Sequence, residues 1–414
     1  METQSGTLGW QPHYADRMAG MQASEIRELL KMIEQPGLVS FAGGIPDPAL
    51  FPQEEIRHAY DEVLASADSA AKALQYSPSE GDDGLRDWIT GYMTARGVPC
   101  TRDNILITSG SQQALEFLGR LLISPGDTAL VTAPTYLGAL QAFSGNQPRY
   151  DRLGLHPTNC TAASYADAAH AAGGRVALAY IVPDFANPTG ETVTKVARAD
   201  LIETMRDGDV PIIEDNPYGA LRFEGTPVPS VQALDVAQCG SIDRSRVIYC
   251  GSFSKIFTPG LRVGWVCAAR EVVTRLTLIK QASDLNSPRI NQLIMLHLAE
   301  SVYAAQVAKV IAAYRTKRDA MLAALDAHMP DGVAWSHPEG GMFIWVTLPD
   351  HVDAATLLQE AVSEAQVAFV PGRAFFADGS GANTMRLSYT MPARDQIDSA
   401  IARLAKVLSA AIGR

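Results

Sequence analysis

The sequence has 414 residues, which is enough for a large buried core and for about two or three domains of ordinary size. Its 45 acidic and 34 basic residues give a formal net charge of −11, and no run of Lys and Arg interrupts this balance, so we expect no nucleic-acid partner. No apolar stretch reaches membrane-spanning length, and the N-terminus lacks the basic head and apolar run of a signal peptide, so we expect no membrane association.

The first predicted element is an amphipathic helix near the N-terminus, in the stretch ASEIRELLKMIEQPG. Its apolar residues recur at helical spacing on one stripe, Ser24 is a candidate N-cap, and Pro36-Gly37 is a stop signal. We therefore expect this helix to be docked on the rest of the protein.

Short aliphatic or β-branched runs then alternate with helix-like segments from about residue 50 to 270. Continuous apolar runs suit strands that are buried on both faces of a parallel sheet. The pattern predicts an α/β fold in which helices cover a mostly parallel sheet, with strands at 104–108, 128–132, 176–182, 211–215 and 246–250.

After about residue 295 the pattern becomes a long helix, strands in GMFIWVTL, VAFVP and TMRLSY with helical stretches between them, and a final amphipathic helix. Strands that are fewer and separated by helices indicate a smaller α/β unit beside the main sheet. We expect residues 46–294 to form the large domain, and residues 1–45 with 295–414 to form the small one.

Polar residues follow the predicted strands, at the edge where ligands collect in open α/β sheets. Gly110, Ser111 and Gln112 open a helix whose N-terminal N–H groups can bind an anion. Tyr136, Asn187, Asp215 and Tyr218 come after the next runs. Each motif alone also fits an ordinary structural role, namely a helix cap, a plain turn or, for Asp215, a salt bridge.

The stretch GSFSKIFTPGLRVGW places Lys255 between Ser252, Ser254 and Arg262. The hydroxyl groups and the guanidinium suit a phosphate, and the lysine amine can form a Schiff base with a carbonyl compound. A lone lysine in such a loop is usually a solvated surface charge. Here it follows a potential anion-binding helix N-terminus, an aromatic residue, an amide and an acid, and this order favours a functional lysine.

Taken in order, SGSQQAL, APTYLGAL, NPTG, EDNPY and SFSKIFTPGLRVGW resemble the motifs of the fold-type I pyridoxal-phosphate aminotransferases, in the class I branch of aminoadipate and kynurenine aminotransferases. Further similar stretches, among them ALQYSPSEG, GGMFIWVTLP and NTMRLSY, extend the resemblance over nearly the whole chain.

The resemblance implies pyridoxal 5'-phosphate as cofactor, with Lys255 as the Schiff-base lysine and proton shuttle, and Asp215 as the partner of the pyridine nitrogen. Asn187 and Tyr218 would bind the ring oxygen, and Tyr136 would stack on the ring. The expected phosphate ligands are Gly110, Ser111, Gln112, Ser252, Ser254, Arg262 and, from the neighbouring subunit of a homodimer, Tyr76.

For the substrate, the resemblance implies that Arg386 clamps the α-carboxylate, because two parallel N–H donors match a carboxylate. Gly44 is expected in the side-chain pocket. Asn187 is a further expected substrate contact. Family members that prefer dicarboxylates often carry an Arg where this chain has Gly20, and Arg17, one turn earlier, is the candidate that could still reach a distal carboxylate. Without an Arg at Gly20, the sequence favours aromatic or aliphatic amino donors, with 2-oxoglutarate as acceptor.

Other functions stay open from the residues. A pyridoxal-phosphate lyase, decarboxylase or oxidase could use the same scaffold. A ligand-sensing transcription factor is disfavoured, because the chain is acidic and its aminotransferase-like pattern starts within two dozen residues, leaving no room for a DNA-binding domain.

No metal site is expected, since the eight histidines lack metal-ligand spacing. The five cysteines include no Cys-x-x-Cys pair, which favours a reduced, cytoplasmic compartment.

Overall fold

The computed structural model describes residues 9–21, 37–158 and 160–413. The predicted N-terminal helix with Ser24 as its N-cap lies outside these residues. The described part begins with the 3₁₀ helices Gln11–His13 and Asp16–Gly20 and resumes with the short strand β1 (Val39–Ser40).

Within the described residues, the largest sheet has seven strands in the order β2-β8-β7-β6-β5-β3-β4. Strand β8 is antiparallel to both of its neighbours, and the other neighbouring strands are parallel. The strands are β2 (Ile105–Thr108), β3 (Thr128–Val131), β4 (Arg149–Arg152), β5 (Val176–Ile181), β6 (Ile212–Asp215), β7 (Val247–Ser252) and β8 (Gly264–Cys267). The predicted mostly parallel sheet is confirmed.

Sequence patterns missed β4 and β8, for different reasons. Strand β4 reads Arg-Tyr-Asp-Arg and is largely exposed at the sheet edge, so it has no apolar run to detect. Strand β8 is only four residues long and follows closely on the motif around Lys255, so its short apolar run cannot be distinguished in the sequence from a continuation of that loop.

Helices cover both faces of this sheet. In β2, Leu106 belongs to one hydrophobic cluster with Leu115, whereas Ile105 and Ile107 belong to another with Leu298. Because side chains alternate along a strand, this division means that the sheet is buried on both sides. The helices up to residue 301 are α1 (Gln53–Val63), α2 (Ala67–Leu74), α3 (Asp83–Thr94), α4 (Ser111–Leu122), α5 (Leu137–Ser144), α6 (Ala162–Ala171), α7 (Lys195–Asp207), α8 (Val231–Cys239), α9 (Arg270–Ser283) and α10 (Arg289–Ser301).

The C-terminal third builds a second, antiparallel sheet in the order β12-β13-β10-β9, flanked by helices. Strand β1 pairs in parallel with β11, so residues 39–40 join this part of the molecule. That pairing agrees with the predicted domain division, which stays a prediction. The elements are α11 (Tyr303–His328), β9 (Ala334–Trp335), β10 (Phe343–Thr347), α12 (Ala354–Glu360), β11 (Val367–Ala368), β12 (Val370–Pro371), β13 (Thr384–Ser388) and α13 (Arg394–Ile412).

In the part of the chain that the structure describes, no single helix is both long and apolar enough to cross a membrane. Helices α10 and α11 meet that test of length and composition only as a pair, and the pair is bent by 81°.

Candidate active site

The predicted site residues meet where the strands of the large sheet end. Strands β2, β5, β6 and β7 lead into Gly110, Asn187, Asp215 and the Lys255 loop, respectively. Strands β5, β6 and β7 pair in parallel, and β2 runs in the same direction because the intervening β8 is antiparallel to both β2 and β7, so all four carboxyl ends lie at one edge. Parallel strands align their carboxyl ends, so residues far apart in sequence share one cleft.

Asp215 is the last residue of β6 and is 1% exposed. Its Oδ2 accepts a hydrogen bond of 2.8 Å from the Tyr180 hydroxyl, whereas its Oδ1 is buried without a hydrogen-bond partner among the described residues. Burial raises the pKa of this carboxyl to about 6, against the opposing effects of the Tyr180 hydrogen bond and of Lys255. A cationic N–H donor is the partner that the free oxygen requires.

Lys255 lies in the loop after β7 and is partly buried. Its Nζ donates a hydrogen bond of 3.3 Å to the Gly44 carbonyl, which joins the lysine loop to the segment after β1. Burial, with the positive charges of Arg386 and Arg262, lowers the pKa of Lys255 to about 8, and Asp215 partly opposes this shift. The amine is therefore partly neutral near physiological pH, which suits a nucleophile and a base.

Arg386 is the central residue of β13 and is 2% exposed. Its Nη1 donates to Asn187 Oδ1 at 2.7 Å and its Nη2 donates to the Ala42 carbonyl at 2.8 Å, while Nε is buried without a partner among the described residues. The guanidinium also lies 4.3 Å from the ring centre of Phe343. These contacts hold a planar cation in one orientation at the cleft.

Two tyrosines stand close to these charged groups. Tyr218 is buried, and burial is the main reason that its pKa is raised, while its hydrogen bond with Asn187 opposes the shift. Tyr136 precedes α5, and its pKa is raised to about 12, first by burial and second by the Asp215 charge. Both phenols therefore remain protonated and can donate hydrogen bonds.

Gly110 and Arg262 are in contact at the N-terminus of α4. Gly110 has φ of 80°, and a Cβ atom there would overlap the Arg262 guanidinium, so this position needs glycine. Arg262 Nη2 donates to the Ser109 carbonyl at 3.1 Å. The helix N-terminus at Ser111 and the exposed guanidinium thus form one positively polarised surface.

The remaining predicted phosphate ligands divide by their contacts. Ser252 and Ser254 are buried, and Ser252 Oγ accepts a hydrogen bond from the Ser254 backbone N–H at 3.1 Å. Gln112 Nε2 donates to the Gly138 carbonyl at 2.7 Å, so its side-chain amide is committed to the start of α5. Only the backbone N–H of Gln112 is left to contribute to the helix N-terminus.

Lys280 and Tyr180 support the site through hydrogen bonds, and no sequence motif indicates this role. Lys280 is fully buried, and its Nζ donates to Gln113 Oε1 at 3.1 Å and Ser287 Oγ at 2.9 Å, with both Asp284 carboxylate oxygens at 3.0 Å. Gln113 Oε1 in turn accepts from the Ser109 backbone N–H at 2.9 Å. Lys280 therefore braces the turn before α4, and only its position within an apolar helix face could have hinted at this role.

Tyr76 and Arg17 are the predicted residues that the structure does not bring to this cluster. Tyr76 is 74% exposed, and Arg17 is exposed in the 3₁₀ helix Asp16–Gly20. Among the described residues, no hydrogen bond or ion pair links either side chain to Lys255, Asp215 or Arg386. Gly44, in contrast, lies directly at the site through its contact with Lys255.

A family model for aminotransferase class I and II matches residues 41–404. The chain therefore belongs to the class I and II aminotransferases, and within them it falls with the aminoadipate and kynurenine aminotransferase-like branch. It is a fold-type I enzyme that transfers amino groups and uses pyridoxal 5'-phosphate. The resemblance found in the sequence is thus confirmed, and the lyase and regulator alternatives are not favoured.

Particular relatives match over nearly their full length. The aromatic-amino-acid aminotransferase 1 of Thermococcus litoralis is 41% identical, over 97% of this chain and 95% of the relative. The multiple substrate aminotransferase of Thermococcus profundus has a TM-score of 0.90 at 38% identity, covering 98% of this chain and 100% of that one. The α-aminoadipate aminotransferase of Thermus thermophilus, solved with N-(5'-phosphopyridoxyl)-L-leucine, has a TM-score of 0.87 at 36% identity and covers 98% and 100%.

The residues of this chain fit the cofactor. Asp215 Oδ1 is a buried carboxylate oxygen that lacks a donor among the described residues, as a pyridinium N–H would require. The α4 N-terminus with Arg262, Ser252 and Ser254 could hold a phosphate, and the Lys255 amine has no carboxylate within ion-pair distance among the described residues. The cleft therefore offers a partner for each part of the cofactor: Asp215 for the ring nitrogen, the α4 N-terminus with Arg262 for the phosphate, and Lys255 for the carbonyl group.

Proposed function

We propose that this aminotransferase moves the amino group of an aromatic or aliphatic L-amino acid to a 2-oxo acid, with 2-oxoglutarate as the acceptor, and that Lys255 is its catalytic lysine. One observation carries the assignment of the site: the Lys255 amine lies within reach of the charges of both the buried Asp215 carboxylate, with its free Oδ1, and the buried Arg386 guanidinium.

When bound, pyridoxal phosphate withdraws electrons from the substrate Cα and so makes its proton acidic. We assign to Lys255 Nζ both the covalent attachment of the cofactor and the transfer of the Cα proton, since its lowered pKa leaves a neutral fraction near pH 8. Asp215 would keep the ring nitrogen protonated, and Tyr218 and Asn187 would bind the ring oxygen. Tyr136 would stack on the ring.

We assign the phosphate to Gly110, Ser111 and Gln112 through backbone N–H groups, and to Ser252, Ser254 and Arg262 through their side chains. The support is the close contact of Gly110 with Arg262 at the N-terminus of α4. A phosphate in this position would accept hydrogen bonds from the helix and ion-pair with the guanidinium.

Arg386 is proposed to bind the substrate α-carboxylate with Asn187, because its contacts with Asn187 and Ala42 hold the guanidinium plane. The preference for apolar donors is supported by Gly44 and Phe343: a Cβ atom at Gly44 would lie 3.2 Å from the Phe343 ring. The described charges that contact Gly44 or Phe343 are Lys255 and Arg386, which are assigned to the cofactor and to the α-carboxylate, and Arg17 is exposed. The aromatic-amino-acid aminotransferase of Thermococcus litoralis supports the same preference, and the α-aminoadipate aminotransferase of Thermus thermophilus was solved with a leucine adduct.

We further propose a homodimer in which Tyr76 reaches the phosphate of the other subunit. The exposure of this tyrosine, 74%, supports the proposal, because a large aromatic residue at the surface is typical of interfaces. We also propose a cytoplasmic location, which is supported by five cysteines that are all free.

The test is a single half-reaction. Purified enzyme is mixed with leucine, phenylalanine or aspartate in the absence of an acceptor, and the 2-oxo acid and ammonia are measured per active site. We expect about one 2-oxo acid per site, no ammonia, and faster reaction with the first two donors than with aspartate. Continued 2-oxo acid and ammonia release would favour a lyase or oxidase, and faster reaction of aspartate would contradict the donor preference.

The control for the site is Lys255→Ala, which is expected to form no 2-oxo acid on the time scale of the wild type and to lose the near-visible absorption of the lysine-bound cofactor. Near-normal turnover in that variant would refute the assignment of Lys255.

A further inference from the structure

A cluster of two histidines and one glutamate joins α1 to α10 on the surface. His58 and Glu62 lie one turn apart on α1, and His297 lies on α10, which packs against α1. Glu62 Oε1 is 3.1 Å from His58 Nε2, and Glu62 Oε2 is 3.0 Å from His297 Nδ1. The three ligand atoms all lie within 4.8 Å of one another.

We propose that His58, Glu62 and His297 bind a divalent transition-metal ion, with Zn²⁺ as the expected ion. Zinc binds imidazole nitrogen and carboxylate oxygen at about 2.0–2.2 Å in a tetrahedral arrangement, which places neighbouring ligand atoms about 3.3 Å apart. The two nitrogen-to-oxygen distances are within a few tenths of an ångström of this value, but each is to a different oxygen of Glu62, so a shared ion requires a rotation of this exposed carboxylate. The His58 side chain is 65% exposed, so it can make the remaining adjustment without disturbing the core.

The ring geometry also suits a shared ion. The His58 and His297 rings meet edge to face at 78°, with centroids 5.5 Å apart, so both rings direct a nitrogen to the same carboxylate without stacking on each other. Three protein ligands leave the fourth position to water. Two imidazoles with one carboxylate favour Zn²⁺ and its neighbours over Mg²⁺ or Ca²⁺, which prefer oxygen ligands.

The local charge favours a cation. Helix α1 also carries Glu54, Glu55 and Asp61 against one cation, Arg57, which pairs with Glu54, and Glu62 has no Lys or Arg partner among the described residues. The alternative explanation is a pair of surface histidine–glutamate contacts, either ion pairs or hydrogen bonds from neutral rings, which contribute little to stability. A metal ion instead binds the neutral rings and the carboxylate together, and it ties α1 to α10.

The experiment uses untagged holoenzyme that has been passed over a chelating resin and titrated with Zn²⁺ by calorimetry. We expect one ion per chain, and we expect His58→Ala, Glu62→Gln and His297→Gln each to weaken binding by about tenfold or more. Titration with Co²⁺ gives a second readout, because visible bands report its coordination.

The matched control is His328→Ala, which removes an imidazole from the pair His328–Asp398, whose nitrogen-to-oxygen distance is 3.0 Å. The Zn²⁺ affinity and stoichiometry of this variant should match those of the wild type. Any ions that bind weakly to other surface groups or to the cofactor contribute equally to both proteins. Equal Zn²⁺ affinity in the wild type and in all three ligand variants would overturn the proposal, as would the absence of a stoichiometric site in the wild type.

Discussion

Replacing Tyr180 by Phe tests the electrostatics around Asp215. Tyr180 is fully buried on β5, and its hydroxyl donates a 2.8 Å hydrogen bond to Asp215 Oδ2. Burial raises the pKa of Asp215 to about 6, and this hydrogen bond is the largest effect that opposes the shift. Tyr180→Phe should therefore raise the pKa of Asp215 further.

The size of the effect follows from the hydrogen bond. A hydrogen bond to a charged group contributes about 1.5–3 kcal/mol, which corresponds to about one to two pKa units. The pKa of Asp215 would then be about 7–8 in the variant. At pH 7 the ionised fraction would fall from about 90% to between about 10% and 50%, whereas at pH 9 both proteins would be almost fully ionised.

The assay is the affinity of the apoenzyme for pyridoxal phosphate, measured by absorbance at pH 7 and at pH 9. If ionised Asp215 is the form that pairs with the ring nitrogen, the variant should bind about two- to tenfold more weakly at pH 7, and the difference should nearly vanish at pH 9. The control is Tyr150→Phe, because the Tyr150 hydroxyl donates 2.9 Å to the Leu140 carbonyl rather than to Asp215. Equal affinities at pH 7, or a deficit that persists at pH 9, would refute the reasoning.

Three further predictions concern the lysines and Arg386. The rate at which subsaturating pyridoxal phosphate binds covalently to the apoenzyme should rise with pH around a midpoint of about 8, because burial, Arg386 and Arg262 lower the pKa of Lys255; a stopped-flow midpoint at the ordinary value of 10.5 would contradict this. Arg386→Lys should raise KM for amino acids and lower kcat/KM by about ten- to hundredfold, since one ammonium cannot replace the fixed fork; unchanged steady-state kinetics would place the carboxylate elsewhere. Lys280→Met should lower the free energy of unfolding of the apoenzyme by about 1–2 kcal/mol in a urea titration, because Gln113 and Ser287 lose a buried donor and the exposed Asp284 loses its ion-pair partner, whereas Lys309→Met at the surface should change it little.

Local sequence patterns were sufficient for the parts of the fold that depend on local physics. A strand buried on both faces needs a continuous apolar run, which the sequence shows directly. The five strands predicted for the large sheet therefore agree with the structure to within one or two residues at each end. The exposed strand Arg149–Arg152 has no such run, and it forms because its backbone completes the edge of the sheet. Pattern reasoning cannot find a strand whose stabilisation comes from its neighbour.

The site divides in the same way. Sequence order is enough to predict that the polar groups after each strand, from Gly110 to Lys255, come together, because parallel strands bring their carboxyl ends to one edge of the sheet. The hydrogen bond from Tyr180 to Asp215, the support of Ser109 by Lys280 through Gln113, and the contact of His297 with Glu62 arise from tertiary packing. These contacts join helices and strands across the core, and their distances depend on how the side chains between them pack, which no spacing along the chain records.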